Sequence, residues 1–346
     1  RSGHLAVSYR CALRLVRSQD SLHLSEESDM QATADSNILD IPEEIKAKVL
    51  TPRQLVWRRF LRHKMAVIGA ITLILLILYS FGGVLFFTEE YANYTDTGIR
   101  LSPPSWEHPF GTDTVGRDIL ARTIYGGQIS LMIGLLAVVV QVVVGVLIGA
   151  IAGYYGGTID GLLMRFTEAM FNIPQLFLLL VMAKFFGSKI NTVELFGREF
   201  SGSVIVIIVI IGVTSWMYLA RIVRANFLSL KEREFVLAAH TTGSSNVSII
   251  FQHILPNSIA PIVVSATLGV AGAIIAEAYI SFLGLGVQPP TATWGNMLEG
   301  SYNYIETAPW LWIFPGLLIV LTVLSINFVG DGLRDALDPH AIVEAN

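Results

Sequence analysis

Charged residues are scarce in this sequence. Of its 346 residues, 14% are Asp, Glu, Lys or Arg, whereas 53% are hydrophobic. Soluble domains carry about 25% charged residues, so the composition predicts an integral membrane protein. The basic residues form no cluster large enough for a nucleic acid, and we therefore expect no nucleic-acid partner.

Several motifs that carry chemistry are also missing. Cys11 is the only cysteine, which excludes an internal disulfide, and no Cys/His spacing indicates a metal site. HExxH and G-x-S-x-G motifs are absent, so we expect neither a catalytic nor a metal-binding residue. No lysine follows a glycine, so the nucleotide-binding motif G-x-x-x-x-G-K-[ST] cannot occur. We expect the chain itself to bind no cofactor.

Long apolar runs, in contrast, are abundant. About 20 apolar residues are needed for a helix to cross the hydrocarbon core of a bilayer. Six segments meet this requirement, and they lie at 65–87, 129–153, 161–183, 200–220, 258–281 and 309–329. The sequence therefore predicts an all-α membrane protein with six transmembrane helices and both termini on one side.

The distribution of Lys and Arg predicts which side that is. Seven of them lie between residues 46 and 64 and four between 221 and 233, whereas six are spread over the longer outer segments. Basic residues are enriched on the cytoplasmic side, so we expect cytoplasmic N and C termini. Before the first span, Thr51 and Pro52 are typical of a helix start. This amphipathic basic helix either lies on the inner membrane surface or extends the first span.

A polar segment separates two of the apolar runs. No charged residue occurs between Glu234 and Glu277, yet ten of the fourteen residues in 240–253 are His, Thr, Gly, Ser, Asn or Gln. These groups are unfavourable in lipid, so the segment is expected outside the bilayer as two short helices. The first helix spans about 226–241, and Gly243 follows it at a position that favours a left-handed residue. Ser244 or Ser245 caps the second helix, which ends at Pro256. The hairpin either contacts another subunit or merely connects two spans.

Small residues recur every four positions in two spans. The first stripe is Gly145, Gly149 and Gly153, continued by Gly157, and the second is Ser265, Gly269, Ala273 and Glu277. Such stripes allow close helix packing, either within the chain or against a partner. Glu277 is an intramembrane charge, for which a structural role and substrate contact are both open.

The domain organisation follows from these segments. Residues 1–50 are expected to be a disordered N-terminal tail. Residues 51–100 hold the interfacial helix, the first span and the start of an outer loop, and 101–128 form an extracytoplasmic segment. The core follows at 129–335 with the loop 226–257, and 336–346 form a C-terminal tail.

The polar loop resembles the EAA loop of ABC importer permeases. Ala238, Ala239, Gly243, Leu255 and Pro256 match its pattern at the correct spacing, although Leu237 stands where the pattern has Glu. The stretches "HPFGTDTVGRDILARTIYGGQISLMIG", "GYYGGTIDGLLMR", "ISFLGLGVQPPTATWGNML" and "GDGLRDALDP" are similar to C-type permeases of the dipeptide/oligopeptide/nickel branch.

The resemblance implies a type I ABC importer permease fold in a bacterial or archaeal cytoplasmic membrane. It implies a second, B-type permease, two ABC ATPases that bind ATP and Mg, and an extracytoplasmic substrate-binding protein. Glu234, Ala238, Ala239, Gly243, Leu255 and Pro256 would then form the loop that couples the chain to the ATPases.

Substrates implied by this branch are di- or oligopeptides, with nickel chelates or other small solutes as the alternative. A secondary transporter is a further alternative, but the middles of the spans lack the acidic residues that ion coupling needs.

Overall fold

A computed structural model describes residues 51–187, 193–195 and 198–338. The expected tail 1–50 and most of the expected tail 336–346 lie outside these described residues. In chain order the described helices are α1 (Pro52–Arg62), α2 (Lys64–Gly82), α3 (Glu89–Asn93), α4 (Ile119–Tyr155), α5 (Gly157–Phe171), α6 (Gln175–Phe186), α7 (Ser203–Leu230), α8 (Glu234–Thr241), α9 (Asn246–Ser248), α10 (Leu255–Asn257), α11 (Ile259–Phe282) and α12 (Trp310–Leu337).

The remaining regular structure is short. The strands β1 (Val193–Leu195) and β2 (Arg198–Phe200) pair antiparallel, which an all-α reading did not foresee. A π-helical segment, Ile249–Ile254, joins α9 to α10. Turns of 3₁₀-helix occupy Gly83–Leu85, Thr97–Ile99, Asn296–Leu298 and Ser301–Tyr304.

Five described helices are long and apolar enough to cross a bilayer. They are α2 with its following turn (Lys64–Leu85), α4, α7, α11 and α12. Five of the six predicted spans, and the helical membrane fold, are thereby confirmed. At 37 residues, α4 is longer than one span requires, and it begins at Ile119 rather than at residue 129.

The third predicted span is not one straight helix. In its place α5 and α6 meet at an angle of 83°. The break falls at Asn172–Pro174, because proline lacks a backbone N–H and disfavours helical backbone at Ile173 before it. Six spans result only if this bent pair crosses the membrane once. The cytoplasmic location of both termini therefore stays a prediction.

The glycine stripe of α4 lies against α7. A Cβ atom added at Gly145 would lie 3.1 Å from the side chain of Leu219. At Gly149 it would lie 2.5 Å from the carbonyl oxygen of Ala220, and at Gly153 2.6 Å from the Cβ of Phe227. Hydrogen at these positions thus lets the two backbones approach closely. Gly157 is not in the stripe, because α4 ends at Tyr155 and the backbone of Gly156 turns with φ +66°.

The second stripe, on α11, faces α4 from another side. Gly269 lies beside the Gln141 amide of α4, and Ser265 and Ala273 are buried on the same face. On the far side of α11, α12 packs against it and against α2, where a Cβ at Gly69 would meet the Ser325 carbonyl oxygen at 2.7 Å. Helix α4 thus lies at the centre of the bundle, in contact with α2, α7 and α11.

We predict that Gly149→Ala destabilises the protein by about 1–3 kcal/mol, because the added methyl group meets the α7 backbone. Thermal unfolding of the purified protein in detergent measures the change. Gly161→Ala in α5 is the matched control, since a Cβ there meets nothing within 4 Å. Equal unfolding temperatures for the two variants would show that the stripe does not set the α4–α7 distance.

Candidate functional site

The candidate site is the polar hairpin between α7 and α11. The sequence predicted one helix over 226–241, but this boundary is wrong, because α7 ends at Leu230 and α8 begins at Glu234. Arg233 is extended, with φ −77° and ψ 148°, which interrupts the helix. The hairpin therefore consists of α8, a turn at Gly243, and the helical segment from Asn246 to Asn257.

Helix α8 has a buried face and an exposed face. Val236 and Ala239 point inward, where they pack with Phe227 of α7 and with Ile249 and Ile254 of the returning segment. The exposed face follows the helical spacing i, i+3, i+4 and i+7. It contains Glu234, Leu237, Ala238 and Thr241, and the neighbouring Phe235 and His240 are also exposed. The two adjacent alanines therefore have different environments: Ala239 is core and Ala238 is surface.

Gly243 shapes the turn of the hairpin. Its φ of +81° lies in the left-handed region, where residues with a Cβ are strained. The turn is closed by the N–H of Ser244, which donates to the Ala239 carbonyl oxygen at 3.1 Å. This is the hydrogen bond of a Schellman helix end. Ser245 then caps the returning segment, since its Oγ accepts the N–H of Ser248 at 3.3 Å.

Leu255 and Pro256 end the returning segment. Leu255 is half-buried beside the cluster under α8, whereas Pro256 is exposed. Because Pro256 has no N–H, it cannot donate to the preceding helical turn. The N–H of Leu255 reaches back five residues, to Ile250, which is the π-helical spacing.

A polar contact joins the hairpin to the end of α4, and an ion pair lies close to it. The Tyr154 hydroxyl donates to Asn246 Oδ1 at 2.9 Å, and the ring of Tyr154 stacks on His240 with 6.5 Å between centroids. Nearby, Arg224 of α7 forms a bidentate ion pair with Asp160 of α5, with 2.6 Å between Nη2 and Oδ2. The first of these contacts joins the hairpin to α4, and the second joins α7 to α5.

The hairpin exposes apolar side chains. Leu237 is 53% exposed, Val247 63% and Phe251 56%, and each lies in a segment otherwise rich in uncharged polar residues. Large apolar groups that are exposed together on a folded hairpin are typical of a protein-binding surface. We call Glu234, Leu237, Ala238, Thr241, Val247 and Phe251 the hairpin surface.

Glu277 lies elsewhere, in a fully buried network. Its Oε1 accepts the Ser281 hydroxyl at 2.7 Å, and the Ser130 hydroxyl lies 3.3 Å from Oε2. Ser130 also accepts the N–H of Trp294, and Ser281 accepts that of Val287. The carboxylate thus links α4 and α11 to the outer segment after α11. This favours the structural role over substrate contact.

One group of polar residues escaped the sequence reasoning. Gln141, Gln175 and Ser215 line a cavity between α4, α6, α7 and α11, near the middle of the bundle. A signal was present, since Gln141 is a single amide in the apolar run "VVVQVVVG". Its partners across the cavity come from distant parts of the chain, and one sequence does not bring them together.

Two family models match the chain. Residues 145–343 match the binding-protein-dependent transport system inner membrane component, and residues 51–104 match the N-terminal TM domain of oligopeptide transport permease C. The two matches leave residues 105–144 between them.

Curated relatives cover most of the chain. The oligopeptide transport system permease protein OppC of Escherichia coli (strain K12) is 44% identical over 284 residues, 82% of this chain and 89% of that protein. The dipeptide transport system permease protein DppC of Alkalihalophilus pseudofirmus is 40% identical over 298 residues, 86% and 93% of the two chains. A putative peptide permease protein of Brucella suis is 44% identical over 285 residues, 82% and 89%.

Among solved structures, a chain of the MetNI methionine ABC transporter in inward-facing conformations is similar to this protein. The alignment covers 62% of this chain and 96% of that chain, with 19% identity and a TM-score of 0.47.

We predict that Gly243→Ala loosens the hairpin, because an L-residue in the left-handed region costs about 1–2 kcal/mol. Amide hydrogen exchange over 234–257 should be faster by about tenfold. Ser244→Ala is the matched control, since it alters the neighbouring residue, whose φ is not positive. Unchanged exchange in Gly243→Ala would contradict the role of this turn.

Proposed function

The chain belongs to the family of binding-protein-dependent transport system inner membrane components, and on that premise we propose that it forms half of the pore of an ATP-driven importer for di- or oligopeptides. Its relatives are multi-pass permeases of the inner membrane and non-catalytic components of ABC importers, and the chain is a component of this kind. The proposal adds how the chain couples to ATPases, which proteins it binds and which substrate it carries.

The hairpin surface carries the proposal. Because the sequence has no motif for nucleotide phosphates, ATP hydrolysis must come from a separate subunit that binds this chain. Exposed apolar residues on the hairpin are suited to that contact, and the segment resembles the EAA loop. Glu234 and Ala238 lie on the outward face, whereas Ala239, Gly243 and Leu255 maintain the shape behind it.

Basic residues at the end of α7 support a cytoplasmic location for the hairpin. Arg221, Arg224, Lys231 and Arg233 lie at the end of α7 and in the turn that leads to α8. Positive charge near the ends of spans favours the cytoplasmic side. Two ATPases that bind ATP and Mg would then meet this chain and its partner permease from that side, while a substrate-binding protein delivers cargo from the other.

The peptide cargo is proposed from the relatives. Proteins named as oligopeptide, dipeptide and peptide permeases share 40–44% identity with this chain over more than four fifths of its length. No charged residue lines the described cavity between α4, α6, α7 and α11, which suits a cargo recognised by its uncharged amide groups.

Leu237→Asp tests the coupling contact. We expect at least a tenfold loss of peptide uptake by the reconstituted importer, because a charge on the hairpin surface replaces an apolar contact of an interface. The variant should insert and unfold like the wild type, since Leu237 is half-exposed in this chain alone. Leu237→Met, which keeps an apolar side chain of similar volume, is the matched control.

Peptide-stimulated ATP hydrolysis is measured on the same vesicles. In Leu237→Asp, either uptake and ATP hydrolysis should both fall, or hydrolysis should no longer depend on uptake. In Leu237→Met, the two should stay coupled. Normal coupled uptake in Leu237→Asp would show that the hairpin surface is not part of the ATPase interface.

A further inference from the structure

A cavity with a mixed polar and apolar lining lies between helices of the bundle. Its volume is about 300 Å³, and α4, α7, α11 and the start of α6 form its walls. The polar groups that line it are amides and hydroxyls, and its described lining includes no charged side chain. They come from Gln141, Gln175, Thr214, Ser215, Tyr218 and Tyr279.

Gln141 is the most constrained of these groups. Its side chain is 6% exposed and forms no hydrogen bond with any residue of the described chain, although the amide lies at the cavity wall. Gly269 makes space for it, since a Cβ there would lie 3.0 Å from Gln141 Oε1. The amide atoms are open to the cavity rather than enclosed by protein, so a ligand that enters the cavity can form hydrogen bonds with them.

The opposite wall is polar and open. Gln175 is exposed and its Nε2 donates to Ser215 Oγ at 3.3 Å, while Tyr218 is 65% exposed. Gln175 is the first residue of α6, immediately after the 83° break. Polar side chains in a membrane face protein or water rather than lipid tails, and broken helices are common at the substrate sites of transporters. The polar groups at this opening are better suited to a water-filled pathway than to lipid tails.

We infer that the cavity is a subsite for the peptide backbone on the permeation pathway, with Gln141 as a hydrogen-bonding ligand of a backbone amide. The inference rests on the proposed function and specifies its cargo. An amide side chain offers a donor and an acceptor, which matches the N–H and C=O of a peptide unit. An uncharged lining binds acidic, neutral and basic peptides alike, because it contributes no ion pair to any of them.

The test compares uptake of trialanine with two N-methylated trialanines, each lacking one backbone N–H. The complete importer is reconstituted in vesicles with its binding protein and ATPases, and carries either wild-type chain or Gln141→Leu. The same binding protein delivers each peptide to both, so the ratio of uptake rates between the two importers isolates this chain. Val139→Leu, on the exposed face of α4, is the matched control.

We expect Gln141→Leu to lower uptake of trialanine about tenfold, in line with one lost hydrogen bond to a bound ligand. The wild type and Val139→Leu should take up one of the methylated peptides more slowly than trialanine. Gln141→Leu should take up that peptide at least as fast as it takes up trialanine. The unfolding temperature of Gln141→Leu should equal or exceed that of the wild type, because the amide forms no hydrogen bond with the described residues. Gln141→Ala provides a second variant should Gln141→Leu not assemble.

Two outcomes distinguish a failure of the subsite from a failure of the proposed function. If the wild type takes up trialanine and methylation affects wild type and Gln141 variants equally, the subsite is overturned and the importer assignment stands. If the wild-type importer takes up no peptide while its ATPases are active, the peptide cargo is wrong and the subsite falls with it.

Discussion

Close approach of α4 to α7 is the constraint on which the remaining structure depends. It requires hydrogen instead of a side chain at Gly149 and Gly153, where an added Cβ would collide with α7, and it leaves little space at Gly145. The same approach places Phe227 over Gly153, and Phe227 is the floor on which Val236 and Ala239 of the hairpin pack. A wider α4–α7 distance would therefore displace the hairpin as well as the bundle.

The same helix pair connects the two functional regions. Helix α7 carries Phe227 beneath the hairpin and Ser215 at the cavity, twelve residues apart, which is about 18 Å along a helix. Helix α4 likewise carries Tyr154, which bonds to the hairpin, and Gln141. Because both helices are continuous between these points, a force on the hairpin reaches the cavity walls through rigid elements. Under the proposed coupling, this is the physical route by which an ATPase changes the shape of the cavity.

Much of this architecture is visible in the sequence, for local reasons. Five spans follow from apolar runs of sufficient length, and the turn at Gly243 follows from one residue that tolerates positive φ. The bend before Gln175 was not predicted, because mean hydropathy contains no information on the direction of a helix. Pro174 was a local sign of it. The end of α7 at Leu230 was also missed. It depends on how α8 packs on Phe227, and that contact joins residues through tertiary structure. The contact between Gln141 and Gly269 likewise depends on tertiary structure, since the two residues lie 128 positions apart.

The central claim is that the hairpin surface lies in water on the cytoplasmic side, where an ATPase covers it. Cys11 is the only cysteine, so Cys11→Ser combined with Thr241→Cys gives a single thiol on the exposed face of α8. Its labelling by a membrane-impermeant maleimide is measured in inside-out and right-side-out vesicles, with and without the ATPases. The account predicts labelling in inside-out vesicles alone, and protection when the ATPases are bound. Labelling from the outer side, or labelling only after the membrane is dissolved, would contradict it.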